Sequence, residues 1–198
     1  MAADVSSPRS PPDRHGQRRA ILDAALAVLA REGEAGFTVR RIAEAAGCST
    51  TGVYTWFGGK AGLVDAIFVE GFESFDAALE PAYAAGDLVA AGREYRRWAL
   101  ANPTHFLVMF GRAVPDVRPG EEALRRGLAS FQRLVDHVRL VRPDLAEDEA
   151  FDWAYHVNAT VHGYVLTELT GMSTAPHRAE ELFELGLCRL LAPLSGSP

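Results

Sequence analysis

Residues 37–60, FTVRRIAEAAGCSTTGVYTWFGGK, constrain the fold more than any other stretch, because they encode two short helices with a fixed turn between them. Thr38 is placed to cap a helix whose apolar residues Val39, Ile42, Ala43 and Ala46 recur at i, i+3, i+4 and i+7, while Arg40 and Arg41 point outward. Gly47 stops that helix. Gly47-Cys48-Ser49 is then a tight connection, with Ser49 as the N-cap of a second helix expected over about 50–57. Val53 and Phe57, one turn apart, are its anchors. Thr50, Thr51, Tyr54 and Thr55 are left facing out, and these side chains can bond base edges or phosphates or pack on a thymine methyl. Gly58-Gly59 breaks the helix, and Lys60 opens the next, where backbone N–H groups and one cation suit a phosphate. The pattern predicts a helix-turn-helix that reads double-stranded DNA.

These residues resemble the N-terminal domain of the TetR family of bacterial transcription regulators. That pattern opens Phe-Thr-hydrophobic, continues Ile-Ala-x-x-Ala-Gly and closes Tyr-x-aromatic-Phe-x-x-Lys. Phe37-Thr38-Val39, Ile42-Ala43 with Ala46-Gly47, Ser49, and Tyr54 with Trp56-Phe57 and Lys60 match it. Two positions depart. Thr51-Gly52 stands where the family often has Gly-Thr, which costs the first turn of the recognition helix up to about 1 kcal/mol. Gly58-Gly59 replaces the frequent Pro-Ser and makes a softer helix stop. The candidate DNA-binding residues are Arg18, Thr38, Arg40, Arg41, Ser49, Thr50, Thr51, Tyr54, Thr55, Trp56 and Lys60.

A net charge of −6 sits oddly with a DNA partner until the chain is divided. Residues 1–60 hold 8 basic and 6 acidic side chains, and residues 61–198 hold 12 and 20, so a mildly basic head precedes an acidic body. Because +2 is a weak electrostatic footprint, two heads in a dimer are expected to sum their phosphate contacts. With 198 residues and 48% hydrophobic composition the chain can bury a sizeable core. No apolar run approaches the roughly 20 residues that span a bilayer, and no signal core precedes the head, so the expected location is cytoplasmic, with no membrane partner. Cys48 and Cys188 form no C-x-x-C pair and are expected as core or turn thiols.

The expected organisation is all-α: a disordered Pro- and Arg-rich tail at 1–16, a DNA-binding domain at 17–62, an effector-binding and dimerisation domain at 63–192, and a tail at 193–198. Arg9 and Arg14 of the first tail could reach the DNA backbone or serve only as solubilising charge. A first helix at about 17–32 carries Ile21, Ala25, Val28 and Leu29 and stops at Gly33. A long helix from Lys60 to about Glu80 carries Leu63, Val64, Ile67, Phe68, Phe72, Phe75 and Leu79 and is expected to end at Pro81; it is the candidate lever between head and body. Asp87 caps a helix with Leu88, Ala91, Tyr95 and Trp98, ended by Asn102-Pro103. A short helix with Phe106, Met109 and Phe110 follows. Leu124, Leu128, Phe131, Val135 and Val138 then form a stripe expected in the core.

Asp144 with Glu147 reads as a capping box opening a helix over about 145–170, and Thr174 with Pro176 opens a last helix closed by Pro193. Both are apolar on more than one side, through Phe151, Trp153, Tyr155, Val157, Val161 and Val165 in one and Leu182, Phe183, Leu185, Leu187, Leu190 and Leu191 in the other. A surface helix needs one apolar stripe, so the second side predicts a homodimer formed by the last two helices as a four-helix bundle, with Gly163 and Gly186 allowing close approach and Leu187 at the interface. The competing reading is burial on both sides within one chain. Tyr95-Arg96-Arg97-Trp98-Ala99, Asn102-Pro103 and Val161-His162-Gly163 resemble the family branch named for a Trp-His-Gly motif, with Val161 where Trp would be.

The candidate ligand-binding residues are Tyr95, Trp98, Phe106, Met109, Phe110, Phe131, Trp153, His156 and His162, with His105, His137 and Asn158 as further polar groups for a largely apolar effector. Each polar group among them reads first as a satisfied core or interface partner and only second as a ligand group. No pair of the six His has i, i+4 spacing, and Asp152 with His156 is half a site, so no metal and no cofactor are expected. The absence of a Gly-rich phosphate loop, G-x-S-x-G and H-E-x-x-H argues against an enzyme. The expected function is a ligand-responsive repressor bound to a near-palindromic operator; the alternative is a helical sensor or carrier that acts without DNA.

Overall fold

The computed structural model describes residues 14–111 and 113–195. Among them the chain forms nine α-helices and a single 3₁₀ turn, with no strand: α1 (Arg14–Gly36), α2 (Val39–Ala45), α3 (Thr50–Phe57), α4 (Lys60–Ala84), α5 (Leu88–Ala101), α6 (Pro103–Met109), α7 (Glu121–Val141), α8 (Glu147–Leu169), the turn Pro176–Arg178, and α9 (Ala179–Ser195). The chain divides into two compact units between Leu63 and Val64.

The first unit is built on the stripe of α1. Ile21, Ala25, Val28 and Leu29 are buried at their helical spacing, with Leu22 added, against Phe37, Ile42, Ala43, Val53, Phe57 and Leu63. The expected tail lies outside the described residues up to position 13. Its last three residues are instead helical, since α1 starts at Arg14, beyond the final proline of the run at Pro12. Gly33 breaks the helix with φ 62°, and one more turn follows before Phe37. The first turn of α4 passes so close to α3 that a Cβ at Gly62 would lie 1.7 Å from the Phe57 carbonyl oxygen.

In the second unit α8 packs against α5, α7 and α9, and α9 also against α5. The inner face of α8 is Ala150, Ala154, Val157, Val161 and Val165, small enough for its neighbours to approach closely. Phe72, Phe75, Tyr95, Trp98, Phe106 and Phe110 form a continuous aromatic cluster with centroids 5.0–6.4 Å apart, in edge-on or tilted contact. His162 belongs to it. Its ring stacks on Phe106 at 5.2 Å and meets Phe110 at 5.1 Å, with Nδ1 3.1 Å from the Tyr95 hydroxyl. Polar ties join the helices. Buried Asp76 of α4 accepts from the Ser130 hydroxyl of α7 and pairs with Arg126 at 2.6 Å, and Arg96 of α5 grips Glu168 of α8 with two bonds of 2.9 Å.

Several boundaries differ from those the sequence predicts. α4 runs through Pro81 to Ala84, because Ala82 and Tyr83 are buried and their packing outweighs one missing hydrogen bond. α9 likewise continues through Pro193, where burial of Leu194 and the Arg142 guanidinium bound to the Pro193 carbonyl at 2.8 Å hold the last turn. The predicted box of Asp144 and Glu147 is not formed: Asp144 pairs with Arg142, while Glu149 accepts from the Ala146 backbone N–H at 2.9 Å. Leu124 and Leu128 of α7 are exposed, not core. Leu187 is buried inside its own chain, its methyls against Gly92, so it is a core residue and not a probe of an interface.

Two outcomes follow from this packing. Gly62→Ala has no room for its methyl group and is expected to cost about 1–3 kcal/mol, read as a lower midpoint in chemical unfolding followed at Trp56. Burial lowers the pKa of His162 below its usual 6.5, so the unfolded chain takes up this proton first as the pH falls. The His162 contribution to stability is therefore whole above pH 6.5 and is lost below it. The thermal midpoint should fall between about pH 7.5 and pH 5.5, and His162→Gln should shrink that fall.

Candidate nucleic-acid interface

Local caps build the α2–α3 pair. The Thr38 hydroxyl accepts from the Arg41 N–H at 3.3 Å, and the Ser49 hydroxyl from the Gly52 N–H at 3.1 Å, each satisfying an orphan donor of a helix too short to spare one. Gly47 turns the chain with φ 64°, and the Cys48 N–H returns to the Ala43 carbonyl at 2.9 Å. At the far end of α3 Gly58 takes φ 69° and its N–H bonds the Tyr54 carbonyl. Gly59 follows at φ 113°, under the Tyr54 ring. The two glycines thus form a definite stop at positive φ angles that other residues rarely adopt.

Val53 is fully buried and Phe57 nearly so, which turns Thr50, Thr51, Tyr54 and Thr55 outward on the opposite face of α3. Tyr54 is 57% exposed, which leaves much of its aromatic ring in water. The Thr55 hydroxyl donates to the Thr51 carbonyl at 2.8 Å, so what it presents outward is mainly its methyl group. Arg40 is exposed on α2, and Lys60 sits half-buried at the first position of α4.

The remaining candidates are tied into the head. Arg41 pairs with Glu32 at 2.8 Å, Trp56 is half-buried with its indole N–H toward Gln17 at 3.4 Å, and the Arg18 guanidinium lies 5.1 Å from the centre of the Phe57 ring. Thr38 and Ser49 spend a hydroxyl lone pair on caps. Glu32 and Gln17 have no signal in the sequence, since their roles exist only once α1 lies beside α2 and α3. Burial raises the Cys48 thiol pKa, so it is not an activated nucleophile. Cys188 is exposed on α9, contrary to the core or turn position expected, and both thiols are free.

In the body three cavities among the described residues divide six of the nine candidate ligand residues between them. Trp98 and Phe106 are packed into the aromatic core, the Trp98 indole donating to the Ser74 hydroxyl at 3.0 Å, and His162 is held as described. Tyr95, Phe110 and Phe131 line an 80 Å³ cavity with Phe72, Phe75, Tyr83, Ser130 and Asn158. Met109 borders a separate groove of about 430 Å³. Trp153 and His156 open to a third depression, about 350 Å³, with Glu149, Asp152 and Leu190 on the outer side of α8. They scatter because apolar spacing marks every buried face of a helix alike, whether the neighbour is another helix or a ligand. Burial also raises the Tyr95 hydroxyl far above its ordinary pKa, leaving it a neutral hydrogen-bonding group. Among the described residues no three His, Cys, Asp or Glu side chains are placed to hold a metal, and no helix is long and apolar enough to cross a membrane.

The comparisons with known proteins agree with this geometry. Residues 21–67 match the model of bacterial regulatory proteins of the tetR family, and residues 88–190 match the tetracyclin repressor-like C-terminal domain, a description that names no Trp-His-Gly branch. No curated protein is similar enough in sequence to match. Among solved structures, SCO4313, assigned a regulatory role, is 25% identical with a TM-score of 0.80, covering 93% of this chain and all of that one. A protein of unknown function from Rhodococcus sp. RHA1 is 26% identical with a TM-score of 0.76, covering 94% and 100%. A transcriptional regulator from the same Rhodococcus strain is 20% identical with a TM-score of 0.71, covering 91% and 99%, and shares the fold. Together the capped helix pair, the helical body and the two domain matches place this chain in the TetR family, whose members are non-enzymatic, DNA-binding transcription regulators.

Proposed function

We propose that this chain is a ligand-responsive repressor that binds a near-palindromic operator as a homodimer. The observation that carries the reading is the outer face of α3: a capped helix, anchored by Val53 and Phe57, that leaves Tyr54, Thr50, Thr51 and the methyl group of Thr55 exposed on its outer side. Two such helices reach successive major grooves about 34–36 Å apart, and Arg40 with Lys60 adds phosphate contacts from each head. Arg18, Arg41, Trp56, Thr38 and Ser49 act mainly by holding α3, while their remaining polar atoms stay available to the DNA backbone.

The dimer is proposed to form through α8 and α9. Phe151 and Tyr155 are 48% and 58% exposed and Leu185 41%, on the sides of these helices turned from their own core. Aromatic and aliphatic groups so exposed on adjacent helices suit a two-fold bundle. Gly163 is open, with nothing near an added Cβ, so it can admit a partner backbone, whereas Gly186 is already filled by Tyr164 of the same chain. A ligand in the body biases α4, the lever, toward a head spacing that no longer fits the operator. Near-complete release requires about 5.5 kcal/mol of preference for the misfit state.

Selection of bound sites from random duplexes tests the function directly, with recovery of a two-fold symmetric sequence expected and no enrichment at low salt overturning it. On that site Tyr54→Ala should weaken binding by about 5- to 100-fold. Lys60→Ala should instead weaken all duplexes alike and flatten the salt dependence by roughly 2 in a dimer with two heads. Both variants should keep the helical circular dichroism of the parent. Tyr155→Arg, on the exposed side of α8, should sediment as a folded monomer; a persistent dimer would move the interface elsewhere.

A further inference from the structure

The groove of about 430 Å³ in the body lies between α4, α6 and the segment leading into α7, and its walls are Phe68, Val108, Met109, Val114, Val117 and Leu124. That wall is a built surface. Val114 is buried, the Val117 N–H bonds the Val114 carbonyl at 3.0 Å, and the Gly120 N–H donates to the Asp65 carboxylate of α4 at 2.8 Å, so the segment is fastened at both ends. Leu124, at the far side, stays 49% exposed.

Among the described residues a single charged group borders the groove, the guanidinium of Arg118, and it is exposed with no ion pair or hydrogen bond. Most other guanidiniums of the body, those of Arg93, Arg96, Arg97, Arg125, Arg126, Arg133, Arg142 and Arg178, are each paired with a carboxylate. Arg118 thus sets a guanidinium that is uncommitted among the described residues at the rim of an apolar trough, where it can receive an anion. The lining is aliphatic apart from Phe68, and it offers no amide, hydroxyl or imidazole to recognise heteroatoms along a ligand. The chemistry that fits is a flexible hydrocarbon with one anionic end, since a guanidinium receives a carboxylate through two parallel hydrogen bonds.

We propose that this groove binds a straight-chain amphipathic carboxylate, with the hydrocarbon along Phe68, Met109 and Leu124 and the carboxylate on Arg118. Resting on the regulator reading above, this is also the class of effector that releases the DNA. The purified full chain, free of DNA, is titrated calorimetrically with octanoate, decanoate and dodecanoate below their micellar concentrations, and with the alcohols of equal length. Each added methylene pair is expected to tighten binding about 15-fold until the groove is full. Arg118→Gln, at an exposed position that folding does not need, should weaken the carboxylates at least about tenfold and leave the alcohols within about twofold. Val117→Trp, which fills the trough, should weaken both series. Absence of binding by every carboxylate, as when a second copy covers the groove, overturns the proposal, and so does carboxylate binding indifferent to both substitutions. A mobility shift on the selected site separates the two readings. Arg118-dependent binding in a protein that takes no duplex keeps the groove and removes the regulator, whereas DNA binding without carboxylate binding does the reverse. Carboxylate binding that leaves the DNA complex intact removes the effector role alone.

Discussion

Burial of two side chains, Val53 and Phe57, is the constraint on which the DNA-facing head depends. An isolated helix of eight residues is not stable in water, so α3 exists only because those anchors are removed from solvent, each contributing about 1.5–3 kcal/mol, and because Ser49 and Gly58 satisfy its ends. The anchors also set its rotation. With Val53 and Phe57 turned inward, Tyr54 and the threonines at 50, 51 and 55 have no direction left but outward. The Arg18 guanidinium on the Phe57 ring and the bare Gly62 under its carbonyl guard the same anchor from two sides. Residues that never touch a base thereby decide which residues can.

The body solves a different problem. Polar groups buried in and around its aromatic cluster find partners on neighbouring helices, with the Asp76 Oδ2 atom held by ion pairs and no hydrogen bond. Trp98 has Ser74, Tyr95 has His162, and Asp76 has Ser130 and two arginines. The guanidiniums of this unit are spent largely in pairs, four of which tie α5 to α8 and α9 and α4 to α7. The inner side chains of α8 are short, and its outer face carries Phe151 and Tyr155, both exposed.

Much of the head was legible because its signals are local. A cap is decided by residues three apart, a left-handed turn by a single glycine, and an apolar face by spacing along one helix, and all of these survive without knowledge of the tertiary structure. Proline was misleading at 81 and 193, where the cost of a lost hydrogen bond is local but the gain from burying Tyr83 or Leu194 is not. Asp144 misled in the same way, since a guanidinium two residues earlier claimed the carboxylate before any helix end could use it. The candidate ligand residues were the least legible. His162, Trp98 and Phe106 look in sequence like a lining and turn out to be a mutually satisfied core, whereas Arg118 and Val117, in an irregular segment, carry no periodic signal at all.

What the amino-acid order determined by itself was the kind of protein: a capped pair of short helices ahead of a long all-helical acidic region, with the outward residues of α3 already identifiable. Only the tertiary structure decided which side of each body helix is covered, which charges are spent in pairs and which are left free. The reason is physical. Capping and turning act between neighbours a few residues apart, whereas the covering of a face or the neutralising of a charge depends on what lies across a gap from it, and segments distant in the chain supply that.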